Sequence, residues 1–176
     1  MDTPLKLDSS DFELFGLPPR HALDRPALDA RWRDLQARVH PDRFAAQGAA
    51  AQRVAMQWAV RVNEAYRRLR DPLTRAAYLC ELGGVPIDAE RNTAMPADFL
   101  MTQMAWRESL DEARTAPELE ALRRQVVQAR ERCLVEVAAA LDERGDAKAA
   151  AAGVRALMFI ERFAEDVEAR LDALGQ

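Results

Sequence analysis

The sequence predicts an all-α protein, in which an N-terminal helical hairpin is followed by a C-terminal antiparallel three-helix bundle. Two observations carry this prediction. Apolar residues recur at helical spacing in every long segment, and the breaks between segments hold proline, glycine or a capping residue. With 49% hydrophobic and 31% charged residues, the 176-residue chain has the composition of one globular domain or two small ones.

The first two helices of the hairpin have clear start signals. Ser9 or Ser10 can cap a short helix that ends near Phe15, because a hydroxyl oxygen accepts from the free amides of a first helical turn. Asp24 is placed to cap a second helix that runs to about Val39.

The hairpin continues after a loop that is rich in alanine, predicted over residues 45–51. A third helix is predicted from about Gln52 to Arg70, where apolar residues again recur on one face. A short fourth helix is predicted over residues 74–82. Asp71 and a following proline separate these two helices.

Residues 83–97 hold two glycines and two prolines and are predicted to be a linker. The predicted domains are therefore residues 1–82 and residues 98–176. In the second domain, Thr115 and Glu118 have the spacing of a capping box that begins a long helix. With a helix before it and another over about 146–174, short connections favour an antiparallel bundle.

The tripeptide His40-Pro41-Asp42 lies between the two long helices of the hairpin. Pro41 cannot continue a helix, and its ring disfavours the helical conformation of His40. The tripeptide is therefore predicted to form the loop tip. It carries an imidazole, a rigid ring and a carboxylate, none of which a core requires.

Three stretches, together with the helices between them, resemble a J-domain, the module that stimulates ATP hydrolysis by DnaK-class chaperones. They are Phe-Glu-Leu-Phe-Gly-Leu at 12–17, His-Pro-Asp-Arg-Phe at 40–44 and the segment Val-Asn-Glu-Ala-Tyr to Asp-Pro at 62–72. The resemblance implies a J-domain over the first predicted domain.

More narrowly, Leu-Phe-Gly-Leu-Pro at 14–18 and Phe-Leu-Met at 99–101 look like the HscB family of co-chaperones, which act in iron–sulfur cluster assembly. The resemblance covers nearly the whole chain and is strongest over 11–79 and 98–112. Some members of this family carry an N-terminal cysteine-based metal site, which nothing in this sequence matches.

The resemblance implies that the loop tip and the basic side of the second helix dock on an acidic surface of an HscA-like, DnaK-class chaperone. We call this the tip surface. Asp29 and Asp34 interrupt its basic side, so we expect docking that is weaker or more selective for one partner. Its residues are Arg31, Arg33, Arg38, His40, Pro41, Asp42 and Arg43.

The first helix of the bundle has an apolar face that its packing does not require. Leu100, Met101 and Met104 fall on the side opposite the core positions Trp106 and Leu110. Such a cluster of apolar side chains indicates a contact site. The alternative is that the linker or the first domain covers them as ordinary interdomain core.

The resemblance implies that this helix binds an IscU-like iron–sulfur scaffold protein. Ala105 stands where the family has an acid, so one polar contact is expected to be missing. We call the implied site the client patch, and its residues are Leu100, Met101, Met104, Glu108, Glu112 and Phe159.

The charge of the chain is divided unevenly. Residues 1–75 hold 13 basic and 10 acidic side chains, whereas residues 76–176 hold 12 and 19. This asymmetry favours different partners for the two halves, and the overall charge of −4 disfavours nucleic acid.

No apolar run is long enough to span a bilayer, and no signal segment is evident. Neither a membrane nor secretion is therefore indicated, and the expected location is the cytoplasm.

Cys80 and Cys133 are predicted to be buried free thiols, because neither belongs to a Cys-x-x-Cys pair. The sequence indicates no metal site, no cofactor and no self-association. A small helical enzyme that uses His40 and Asp42 as an acid–base pair is a competing hypothesis, although His21, the only other histidine, is predicted to lie in a surface loop. A J-domain adaptor for a different client is a third hypothesis.

Overall fold

The structure is a computed structural model that describes residues 4–175, and the regular structure in this range is entirely helical, as predicted. Residues 1–3 and 176, which the predicted domains include, lie outside the described part. The helices are α1 (Asp11–Leu14), α2 (Arg25–Val39), a 3₁₀ helix (Pro41–Gln47), α3 (Ala49–Arg70), α4 (Pro72–Leu82), α5 (Phe99–Glu112), α6 (Ala116–Asp142) and α7 (Ala147–Leu174). The chain divides into two compact units, one ending at Arg75 and the other beginning at Ala76. Over residues 4–175, no helix is both long and apolar enough to cross a membrane.

The predicted helix caps are confirmed. Ser10, rather than Ser9, caps α1 and forms a capping box with Glu13. Asp24 caps α2, with a carboxylate oxygen that accepts from a backbone amide in the first turn at 3.2 Å. Thr115 caps α6 in a second capping box.

The prediction of a loop over residues 45–51 is wrong. The 3₁₀ helix continues through Gln47 and α3 begins at Ala49, because alanine has the highest helix propensity of all residues. Only Gly48 separates the two helices, at a φ of 97° that other residues rarely adopt. The α4 helix also begins earlier than predicted, at Pro72, since proline loses no hydrogen bond at the first helical position.

The first unit is built on the hairpin of α2 and α3. Trp32 of α2 stacks on Tyr66 of α3 with ring centroids 4.3 Å apart. The indole Nε1 of Trp32 also donates a hydrogen bond to Asn63 Oδ1 at 3.0 Å. Only Leu28 of the apolar stripe on α2 is fully buried, so these specific contacts determine the register of the hairpin.

The prediction that His21 lies in a surface loop is also wrong. His21 is buried, and its Nε2 lies 3.1 Å from the carbonyl oxygen of Pro72 at the start of α4. The imidazole therefore has a structural partner in the first unit.

The short helix α1 is attached to α3 by a buried ion cluster. Asp11 is buried, and its two carboxylate oxygens lie 2.8 Å from Arg61 Nη1 and 2.8 Å from Arg68 Nε. Arg61 also donates to the carbonyl oxygen of Ser9 at 2.7 Å. One carboxylate is thus shared by two cations of the same helix, which fixes the position of α1.

The second unit is built on a hairpin of α6 and α7. The two helices approach closely where Gly153 faces Val137, because a Cβ at position 153 would lie only 2.5 Å from Val137 Cγ2. The α5 helix is attached through aromatic rings, with Trp106 stacked on Phe163 at a centroid distance of 5.4 Å.

The segment predicted as a linker, residues 83–97, belongs to the second unit. Ile87 in this segment is buried. Arg155 of α7 is also buried, and it donates from Nε to the carbonyl oxygen of Ile87 at 2.9 Å and from Nη1 to that of Ala94 at 3.0 Å. The guanidinium therefore holds the segment that leads into α5 against α7.

We expect Asp11→Asn to lower the free energy of unfolding by about 3 kcal/mol, since removal of one charge from a buried ion cluster leaves the others uncompensated. Urea denaturation followed by tryptophan fluorescence measures this change. Asp8→Asn removes the same charge from an exposed position in the same unit, and we expect a change below about 0.5 kcal/mol. Equal losses in the two variants would contradict a supporting role for the cluster.

Candidate functional site

The tripeptide forms the tip of the hairpin, at the junction of α2 and the 3₁₀ helix. His40 has extended backbone angles, with φ −61° and ψ 128°, as expected for a residue before proline. Its Nδ1 accepts a hydrogen bond from the backbone amide of Asp42 at 3.2 Å, so the imidazole caps the 3₁₀ helix. The side chain of Asp42 is 91% exposed, and its carboxylate is accessible to a partner.

The arrangement of His40 and Asp42 does not form an acid–base pair. Asp42 Oδ2 lies 3.7 Å from His40 Nδ1, which exceeds a hydrogen-bond distance. The same nitrogen already accepts from a backbone amide and therefore carries no proton in that contact. The geometry supports a contact surface better than general acid–base chemistry.

The four arginines of the tip surface differ in what they contact. Arg33 is exposed, and Arg43 Nη1 donates to the carbonyl oxygen of Ala37 at 3.4 Å. Arg38 pairs with Asp34. Arg31 donates to the carbonyl oxygens of Phe15 and Gly16, and thereby ties α2 to the end of α1. Of the four, Arg31 has a structural role that the sequence pattern did not reveal.

The two acids that interrupt the basic side have different environments. Asp29 is part of the helix packing, since its Oδ1 accepts from Arg25 Nε at 2.9 Å and from the Tyr66 hydroxyl at 2.8 Å. The hydrogen bond from Arg25 has the largest effect on the Asp29 carboxyl, and together with that from Tyr66 it lowers the pKa of this group from its ordinary value. Asp34 instead forms an exposed ion pair with Arg38 at 2.8 Å.

The client patch lies on the outer face of α5. Leu100, Met101 and Met104 are 61%, 70% and 60% exposed. Glu108 and Glu112 are also exposed, one and two turns further along the helix. This part of the second unit presents an apolar cluster with an acidic border. Ala105 is exposed on the same helix.

Phe159 has a different environment from the rest of the client patch. Its ring is half-buried and stacks on Phe163 at 5.9 Å, and it meets Phe99 edge-to-face at 5.7 Å. The Arg107 guanidinium lies 5.3 Å from the ring centroid. Phe159 thus helps to attach α5 to α7, and its ring is only partly accessible to another protein.

The two cysteines do not form a reactive site. Cys80 is buried as predicted, whereas Cys133 is half-buried and its thiol donates to the Gly153 carbonyl at 3.4 Å. Burial raises the pKa of both thiols to about 11, so both are protonated at neutral pH. In the described part of the chain, no cluster of three or more His, Cys, Asp or Glu side chains is suited to a metal ion.

Sequence reasoning missed an apolar groove beside the tip. Val54 and Trp58 of α3 line it together with Val39 and Phe44. Val54 directly precedes Ala55 of the buried stripe and is exposed. An apolar residue at a solvent position of an amphipathic helix was the available signal.

The first unit is a helical hairpin with an exposed His-Pro-Asp tip beside basic side chains, and a second helical unit follows it. These features define a J-domain protein. The comparisons with known proteins specify the family. A model of the HSCB C-terminal oligomerisation domain matches residues 95–168. The co-chaperone HscB homolog of Bordetella pertussis is 54% identical over 159 residues, which cover 90% of this chain and 94% of that protein.

The HscB homolog of Burkholderia multivorans is 52% identical over 172 residues, which cover 97% of this chain and 98% of that protein. The solved structure of the chaperone HscB from Vibrio cholerae matches with a TM-score of 0.79 and 36% identity, covering 94% of this chain and 99% of that one. The chain belongs to the HscB family of co-chaperones. Membership supports a J-domain co-chaperone role in iron–sulfur cluster assembly, and the relatives' names describe a non-enzymatic role.

The packing of α5 predicts different stability effects for substitutions on its exposed face and for a substitution at its contact with α7. We expect Leu100→Ser combined with Met104→Ser to change the free energy of unfolding by less than about 0.5 kcal/mol, because both side chains are exposed. Phe159→Ala removes a ring from the aromatic cluster and should cost about 2 kcal/mol. Chemical denaturation measures both values. A large loss in the double variant would show that these side chains belong to a core.

Proposed function

We propose that this protein is an adaptor with two docking surfaces. It binds an IscU-like iron–sulfur scaffold protein through the client patch, and it stimulates ATP hydrolysis by a specialised, HscA-like chaperone of the DnaK class through the tip surface. Cluster assembly and transfer are promoted as a result. The observation that carries the proposal is the exposed Asp42 carboxylate on a tip held by Pro41 and the His40 cap.

At the tip, Asp42 accepts a charge-assisted hydrogen bond from an arginine of the ATPase, the strongest type of contact open to an exposed carboxylate. The ring of Pro41 and the hydrogen bond to His40 Nδ1 restrict the backbone before the partner arrives. Little conformational entropy is then lost on docking. Because only differential binding shifts an equilibrium, this contact must favour the hydrolysis-competent state of the chaperone.

Basic side chains beside the tip add electrostatic complementarity to an acidic chaperone surface. Arg33 and Arg43 are exposed, and their main contribution is to the rate and orientation of encounter. Arg31 supports the hairpin through the carbonyl oxygens of Phe15 and Gly16, so its effect on docking is indirect.

At the client patch, two methionines beside Leu100 give an apolar surface that adapts its shape to a partner. Glu108 and Glu112 at its border favour a scaffold surface that carries basic residues next to apolar ones. The proposed organisation is a J-domain over residues 1–82, a linker over 83–97 and a client-binding bundle over 98–176. Tethering the client near the chaperone raises its effective concentration there.

We expect Asp42→Asn to reduce stimulation of the chaperone ATPase by at least about tenfold, since the amide loses the charge that strengthens the hydrogen bond. Single-turnover ATP hydrolysis by the HscA-like chaperone, with the full chain added, measures this effect. Glu64→Gln makes the matching change on the exposed side of α3 and should leave stimulation unchanged. Stimulation by Asp42→Asn at the wild-type level would overturn the proposed role of the tip.

We expect Leu100→Ser combined with Met104→Ser to weaken binding of the IscU-like scaffold by about tenfold or more, because two apolar side chains no longer leave water on binding. Isothermal titration calorimetry measures the dissociation constant. The matched control is Val127→Ser combined with Val135→Ser, which alters two exposed apolar side chains on α6. Equal weakening by both variants, or by neither, would contradict the assignment of the client patch.

A further inference from the structure

An apolar groove of about 470 Å³ lies between the C-terminal half of α2 and the start of α3. Its walls come from both helices, from the 3₁₀ helix that joins them and from Leu5 of the N-terminal segment. The side chains that line it include Leu35, Arg38, Val39, Phe44, Val54 and Trp58. A concave apolar surface of this size is the usual form of a binding site rather than a packing defect.

The fold of the hairpin does not require the groove to be apolar. Val54 is 52% exposed, although the adjacent Ala55 is buried. Trp58 is half-buried and lies in the groove, one turn further along α3. A solvent-facing position of a helix accepts a polar residue at no cost in packing, so the exposed valine beside the half-buried tryptophan indicates a contact with another molecule.

The groove is continuous with the tip surface along the chain. Val39, at one wall, directly precedes His40, and Phe44 lies two residues after Asp42. Arg38 belongs to both, since it lines the groove and is a residue of the tip surface. A protein that docks on the tip surface therefore reaches the groove at Arg38.

The charge at the groove specifies one feature of the occupant. Arg38 pairs with Asp34 at 2.8 Å, with both side chains 65% exposed. An exposed pair of this kind, four residues apart on one helix, contributes little to stability. A carboxylate of a docked protein can therefore replace Asp34 as the partner of Arg38, while neighbouring apolar side chains enter the groove.

We propose that this groove is a second part of the chaperone-docking interface, and that it takes an apolar segment of the DnaK-class chaperone that carries a carboxylate for Arg38. The inference rests on the proposed function of the tip surface. It adds a binding site to that surface and assigns a chemistry to the segment that occupies it.

Two substitutions of the same type on α3 test the proposal. Val54→Asp places a carboxylate in the groove, whereas Val60→Asp places one at an equally accessible site outside it, since the two valines are 52% and 57% exposed. We expect Val54→Asp to raise the concentration of this protein that half-maximally stimulates the chaperone ATPase by at least about tenfold, and Val60→Asp to change it by less than about twofold. Equal responses of the two variants would overturn the proposal.

Other occupants of the groove give different results. If residues of this chain fill the groove, Val54→Asp lowers the thermal midpoint of unfolding well below that of Val60→Asp. If a second copy fills it, wild-type protein sediments as a dimer and Val54→Asp as a monomer. Either result overturns the proposal, whereas unchanged midpoints and sedimentation together with the weakened stimulation support it.

The role of Arg38 has a separate test. Asp34→Asn removes its present partner, so we expect the half-maximal concentration to fall by about two- to fivefold, and this gain to disappear when Arg38→Met is added. A rise or no change contradicts the exchange of carboxylates.

The Asp42→Asn variant distinguishes this inference from the proposed function. If Asp42→Asn stimulates the ATPase fully, the proposed role of the tip itself is refuted. If Asp42→Asn no longer stimulates the ATPase but Val54→Asp stimulates it as the wild type does, only the groove is refuted.

Discussion

The stack of Trp32 on Tyr66 is the contact on which the hairpin, and therefore the tip, depends. Because Leu28 is the only fully buried residue of α2, hydrophobic burial alone leaves the rotation and register of that helix weakly determined. The Trp32 indole also donates to Asn63, and the Tyr66 hydroxyl donates to Asp29. The ring stack and the two hydrogen bonds can form together in only one register of α2 against α3, since a shift by one residue breaks all three contacts.

Local signals determined what the sequence could predict. The caps at Asp24 and Thr115, the break at Pro41 and the apolar outer face of α5 follow from residues within one or two helical turns. Contacts between distant residues left no such pattern. His21 lies against a carbonyl 51 residues away, and Arg155 donates to one 68 residues away, so neither role could be read from spacing.

The same limit applies to the candidate sites. Helical geometry correctly placed Arg31 on the side of α2, but it could not distinguish a free guanidinium from one that donates to the end of α1. Phe159 is half-buried, yet its ring is also part of the cluster that attaches α5. A side chain's position on a helix follows from the sequence, whereas its partner depends on the approach of another element.

The two proposed surfaces use opposite means because the tasks proposed for them differ. A contact that must distinguish two states of an ATPase needs fixed geometry, and the tip provides it through Pro41 and the His40 cap. A contact that must hold a folded client needs apolar area that adapts to its surface, and Met101 and Met104 provide it. The helix that carries the methionines is itself attached to the second unit, since Trp106 stacks on Phe163. Placing the two surfaces on separate units lets each be optimised without disturbing the other.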